Sequence, residues 1–164
     1  MEVYLIRHGI ATERGTYQND DERPLIEEGR IKTKKVAEKL LSLGVKFDLI
    51  LTSPLVRAYQ TAEILAKVGL GKKIEILPAL APDGDIYQWL KWYSSFFSAH
   101  PHSKLALVGH QPDLGNWAEM LVWGSIREQI IVKKAGLIGL KIPDLDNPLG
   151  KSELFLLTSP KWLI

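Results

Sequence analysis

The chain has 164 residues, 21 Lys and Arg against 19 Asp and Glu for a net charge of +2, and 46% hydrophobic with 24% charged residues. That length builds one sizeable core, so a single domain over residues 1–164 is expected, and so small a net charge argues against nucleic acid or a membrane surface as partner. With no cysteine, disulfide staples, thiolate metal sites and cysteine nucleophiles are excluded; no apolar stretch approaches the ~20 residues that span a bilayer, and Met1-Glu2-Val3 does not open a signal segment, which makes the cytoplasm the expected location.

Val3-Tyr4-Leu5-Ile6 is a short apolar run closed by Arg7-His8-Gly9, the pattern of a strand covered on both faces. A polar stretch over 12–23 follows. Ile26, Thr33, Val36, Ala37, Leu40 and Leu41 then recur at helical spacing, behind Glu27 and Glu28 and ahead of Gly44, and predict a helix over about 26–43 with its lysines in solvent. Residues 47–51 read as the second strand. Ser53-Pro54 has the form of a helix start, with Ser as N-cap and Pro in the first turn, and the helix continues to about Val68. Residues 73–77 alternate as a third strand, 80–84 form a Pro/Gly loop, and Asp85 caps a helix over 86–97 whose Trp89, Trp92, Tyr93, Phe96 and Phe97 are packing residues. Leu105-Ala106-Leu107-Val108 is the most apolar strand; Gly109-His110-Gln111-Pro112-Asp113 leads from it into a helix ending near Trp123. Strands over 137–142 and 153–158, joined by a turn-rich segment, complete the chain as antiparallel edges. Strands alternating with helices predict a mainly parallel sheet covered on both faces.

Three strands thus end in a cationic or potentially cationic side chain: Arg7 and His8, then Arg57 just beyond Ser53-Pro54, then His110. In a parallel sheet these ends share one rim, the place where ligands bind, and the helix that carries Arg57 turns its free N–H groups and positive dipole end to the same rim. Two forked guanidinium groups with two imidazoles match the oxygens of a phosphoryl group. A metal held by His8 and His110 is the competing reading, but no carboxylate partner stands at ligand spacing, so neither metal nor cofactor is expected. His100 and His102, flanking Pro101, read as surface residues.

Arg7-His8-Gly9, the run from Ser53 through Arg57 to Ala62, and Gly109-His110 resemble the signature segments of the histidine phosphatase superfamily, and the likeness covers nearly the whole chain. Arg-His-Gly-x-Ala at 7–11, Arg-Pro-Leu-x-x-x-Gly at 23–29 and the loop at 77–85 are similar to the small SixA-type phosphohistidine phosphatases within it. The resemblance implies a phosphoglycerate-mutase-like fold, a three-layer α/β/α sandwich. It also implies a metal-independent phosphatase: His8 attacks phosphorus and is transiently phosphorylated, Arg7, Arg57 and His110 hold the oxygens, and water releases inorganic phosphate.

Many members carry a Glu in the loop near 79–85, where this chain has Ala79 and Ala81. Asp83 and Asp85 are then the candidate general acids, each with a local alternative as turn residue or helix cap, and Glu13 is a weaker one. A scarcity of acids favours an N–P bond as substrate, because an alkoxide must be handed a proton whereas an imidazole protonated on its remote nitrogen leaves neutral. The implied partner is a phosphohistidine-bearing protein, similar to the histidine phosphotransfer domains of signalling relays. Two alternatives stand beside it: a phosphomonoesterase for a small sugar phosphate or nucleotide, and a module that binds phosphorylated partners without turnover.

Overall fold

Alternation along the central strands sorts their side chains onto two faces, and helices cover both. The computed structural model describes residues 1–164. Its elements run β1 (Glu2–Arg7), α1 (Glu27–Ser42), β2 (Leu49–Thr52), α2 (Val56–Val68), β3 (Ile74–Ile76), α3 (Ile86–Ala99), β4 (Lys104–Gly109), α4 (Asp113–Trp123), β5 (Leu137–Lys141) and β6 (Glu153–Thr158). Val3, Leu5, Leu49, Leu51, Leu105 and Leu107 point to one side, against Trp89 and Tyr93 of α3 and Trp117, Ala118 and Leu121 of α4. Tyr4, Ile6, Ile50, Ala106 and Val108 point to the other, against Val36, Ala37 and Leu40 of α1 and Ala58, Ala62 and Leu65 of α2. This is the expected three-layer α/β/α sandwich.

The sheet order is β3-β2-β4-β1-β5-β6. The first four strands are parallel neighbours and β5 and β6 are antiparallel. Of the two final strands read as edges, only β6 is one, because β5 pairs with β1 as well as with β6. β2 joins the sheet two residues later than the 47–51 expectation, since the Phe47 N–H is given to Leu70 O at 2.6 Å, outside the ladder. α2 opens after Leu55 rather than after Ser53. Asp85 does cap α3, its Oδ1 accepting the Tyr87 N–H at 2.9 Å. No helix is long and apolar enough to cross a membrane.

Close backbone contact fixes the loop that leaves β1. The Ile26 N–H donates to Ile10 O at 3.0 Å, and Ala11 bridges to Leu25. A Cβ on Gly29 would lie 2.0 Å from Ile10 O, and one on Gly9 would lie 2.4 Å from Thr33 Oγ1. Glycine at both positions lets the first turn of α1 rest on the segment carrying His8. Gly29→Ala must displace backbone rather than a flexible side chain, and is expected to lower stability by about 2 kcal/mol despite alanine's better helix propensity, read as an earlier midpoint in denaturant unfolding; an unchanged midpoint would refute the close-contact account.

Candidate active site

β1 and β4 run side by side in register, with Arg7 opposite Gly109. The residues that follow therefore emerge together: the His8 N–H donates to Gly109 O at 3.1 Å, and the His8 and His110 ring centroids are 5.2 Å apart. On the other side of β4 lies β2, whose exit leads through Ser53 to Arg57 in the first turn of α2. All four expected residues, Arg7, His8, Arg57 and His110, line one cavity of about 860 Å³.

The His8 ring is held in one tautomer. Its Nδ1 is 2.7 Å from Gly9 O, and because a carbonyl only accepts, Nδ1 carries the proton and Nε2 keeps its lone pair. Burial pushes His8 down to about 3; the charges of His110, Arg57 and Arg7 act in the same sense, and the Gly9 bond opposes them. His110 is likewise held down to about 3, first by burial and then by Arg57 and Arg7. Both rings are thus neutral near pH 7.

The guanidinium groups are anchored from behind. Arg7 Nη1 donates to Val132 O at 3.1 Å. Arg57, 3% exposed, gives Nη1 to Asp20 O at 2.9 Å and Nη2 to Asp20 Oδ2 at 3.2 Å. Arg23 Nε donates to the other Asp20 oxygen at 2.7 Å. Asp20 therefore joins two arginines, and its carboxyl is held below the usual range by the Arg23 hydrogen bond and by the charge of Arg57. Arg7 Nε, Arg57 Nε and His110 Nδ1 are buried and have no hydrogen-bond partner in the protein. Unpartnered buried nitrogens are costly, and three of them belong to residues lining the same cavity. Lys134 adds to the crowding of cations there: burial, then Arg7, Arg23 and Arg14, lower its ammonium below the ordinary value.

Several residues in or behind the cavity escaped sequence reasoning. Ser53 is not a helix cap; its Oγ lies 2.8 Å from His110 Nε2 while accepting the Leu55 N–H at 3.2 Å. Arg23 stands in the sequence only as the first residue of a family-like segment, and the structure buries it; an arginine closing a polar stretch is its one local signal. Asp113 also lines the cavity; its place three residues after His110, at a helix start, was the clue. Of the two candidate acids, Asp83 lines the cavity, whereas Asp85 does not and has an oxygen committed to the α3 cap. Glu13 lines the cavity at its exposed rim. His100 and His102 are exposed, as expected.

The profile of the histidine phosphatase superfamily (branch 1) matches residues 3–82. The phosphohistidine phosphatase SixA of Escherichia coli K12 is 34% identical over 116 residues, 70% of each chain. An uncharacterized protein of Picosynechococcus is 49% identical over 170 residues, covering 100% of this chain and 99% of its own. A solved structure of the protein histidine phosphatase SixA complexed with tungstate shares the fold across 100% of both chains, with a TM-score of 0.87 at 24% identity.

The buried neutral rings make a pH prediction. Between the ordinary histidine value of about 6.5 and the folded value of about 3, the unfolded chain binds more protons than the folded one. The two histidines therefore contribute an acid-side loss of stability as pH falls below about 6.5, and none above it. Neither His8 nor His110 is expected to titrate between pH 5 and 8 in ring-resolved NMR, and His8 is expected to show the Nδ1–H tautomer; a midpoint near 6.5 for either ring would contradict the geometry.

Proposed function

Because this chain belongs to the histidine phosphatase superfamily, as a phosphatase of SixA type, we propose that it removes the phosphoryl group from a phosphohistidine on another protein, through a covalent intermediate on His8. The observation that carries the phosphoryl-transfer reading is the convergence of Arg7, Arg57 and His110, each with a nitrogen that no protein group satisfies, on one cavity with a neutral His8. They are donors suited to the oxygens of a phosphoryl group.

In the proposed reaction the lone pair of His8 Nε2 attacks phosphorus in line, while Nδ1–H stays bonded to Gly9 O and fixes the ring. Arg7 and Arg57 hold the equatorial oxygens. Ser53 donates its hydroxyl proton to His110 Nε2, which leaves His110 Nδ1–H as a third donor to the same oxygens. The P–N bond of the substrate breaks, its electron pair returns to the leaving imidazole, and water then attacks phosphorus on His8 to give inorganic phosphate and the free ring. The protein positions and stabilises charge, and residues 1–164 act as a single histidine phosphatase domain.

Support for a phosphohistidine rather than a small monoester comes from the likeness to SixA. Acids are not scarce in the cavity, since Asp83 and Asp113 both line it, so the supply of protons does not by itself favour an N–P over an O–P bond. A histidine phosphotransfer-type protein as partner, in a cytoplasmic signalling relay, completes the proposal.

The deciding experiment is a steady-state comparison of kcat/KM on a phosphohistidine-bearing protein and on a panel of sugar phosphates and nucleotides. A strong preference for phosphohistidine is expected; preference for a monoester would transfer the activity to small molecules, and phosphate binding without turnover would leave only recognition. Arg57→Lys is expected to lower kcat/KM by about 10²-fold although the charge remains, because the forked donors are lost. Vanadate should inhibit and a chelator should not; loss of activity on chelation would overturn the metal-independent mechanism.

A further inference from the structure

One carboxyl in the cavity is set apart from the others because it is half-buried, held in place and outside every ion pair at once. Four acidic residues line it: Glu13, Asp20, Asp83 and Asp113. Asp20 gives both carboxylate oxygens to arginines, which keeps it ionised. Asp83 is exposed, in a left-handed turn with φ of 64°, and it is held through its main chain. The group that holds it is Asp113, whose Oδ2 accepts the Asp83 N–H at 3.1 Å.

Asp113 is half-buried at the first residue of α4, three residues beyond His110. It belongs to none of the protein's ion pairs, and its Oδ1 receives no hydrogen bond from the protein. Burial, reinforced by the neighbouring Asp83 charge and opposed by the Asp83 N–H bond, raises its carboxyl above the ordinary value. A phosphoryl dianion in the cavity would raise it further, since like charges disfavour ionisation. A fixed, cation-free carboxyl of this kind is suited to moving protons beside a reacting phosphorus.

We propose that Asp113 is the catalytic proton carrier of this phosphatase, a role that rests on the reading of His8 as nucleophile. As a carboxylic acid it gives its proton to the leaving atom while the bond from that atom to phosphorus breaks and its electron pair returns to the leaving group. As the resulting carboxylate it takes one proton from the water that attacks phosphorylated His8; the P–N bond to His8 breaks, its pair returns to Nε2, and phosphate departs with Asp113 again protonated. The first half matters most for poor leaving groups. An imidazole protonated on its remote nitrogen breaks from phosphorus without that proton and takes it from Asp113 only afterwards, on the nitrogen just freed, departing as imidazolium; Asp113 thus enters the second half as carboxylate, and for phosphohistidine that half is where it speeds the reaction.

The test is Asp113→Asn, which keeps an oxygen able to accept the Asp83 N–H and so preserves the turn, with a thermal melt to confirm folding. Rapid-quench kinetics of the wild type and the variant then separate formation of the phosphorylated enzyme from its breakdown. With p-nitrophenyl phosphate and with phosphohistidine, formation should change by no more than a few-fold, while with an alkyl phosphate it should fall by about 10²-fold or more. Breakdown should slow by a similar factor whatever the substrate, so that phosphorylated enzyme accumulates. Equal loss of formation with every leaving group, or unchanged breakdown, would overturn the role of Asp113. Turnover by the wild type with no phosphorylated enzyme would instead overturn the His8 reading, and the proton-carrier role with it.

Discussion

The register between β1 and β4 is the constraint on which the site depends. Parallel neighbours with Arg7 opposite Gly109 release their chains at the same level of the sheet, so His8 and His110 leave side by side, tied by the His8 N–H on Gly109 O at 3.1 Å. A slip of one residue would exchange the side chains that β1 sends to its two covered faces, setting Val3 and Leu5 among the neighbours of Tyr4 and Ile6 and taking His8 out of step with His110. The two apolar clusters that clamp the sheet therefore also aim the histidines. Activity and packing are set by the same pairing.

Electrostatics completes what the register begins. Cations concentrated around two imidazoles, in a place too dry for protons to be added to them, keep both rings neutral and leave His8 Nε2 free. The arginines hold their positions because their outer nitrogens are spent on Val132 O and on Asp20. Asp20 is exposed, yet it orients Arg57 and Arg23 together, and it does so with hydrogen-bonded geometry rather than by cancelling the charge of the site. Arg7 Nε, Arg57 Nε and His110 Nδ1 stay unmatched within the protein, a local cost that the global core is large enough to carry.

Much of this was legible in the sequence because it is local. The apolar run before Arg7, the run before Gly109, the helical spacing in α1 and the Asp85 cap are each written in adjacent residues, and they suffice to bring Arg7, His8, Arg57 and His110 to one rim. What escaped depends on partners far along the chain. Ser53 looks like a cap because Ser-Pro before a helix usually is one, and only the strand order brings it to His110. β5 looks like an edge because nothing local reveals that β6 pairs beyond it. Asp113 looks like an ordinary first-turn acid until the fold sets Asp83 against it and withholds any cation. Gly9 and Gly29 can be read as turn residues, and their reason for being glycine, the contact between the β1 exit and α1, appears only in three dimensions.

The central claim is that His8 Nε2 is the atom that accepts the phosphoryl group. Its most direct test is to react the protein with a 32P-labelled phosphohistidine protein, quench in alkali within the first turnover, and map the label by peptide and by phosphohistidine isomer. The account predicts label on the His8 peptide as the Nε2-phosphorylated isomer, because Nδ1 is committed to Gly9 O. Label on His110, label on His8 Nδ1, or turnover that leaves no labelled enzyme would contradict it.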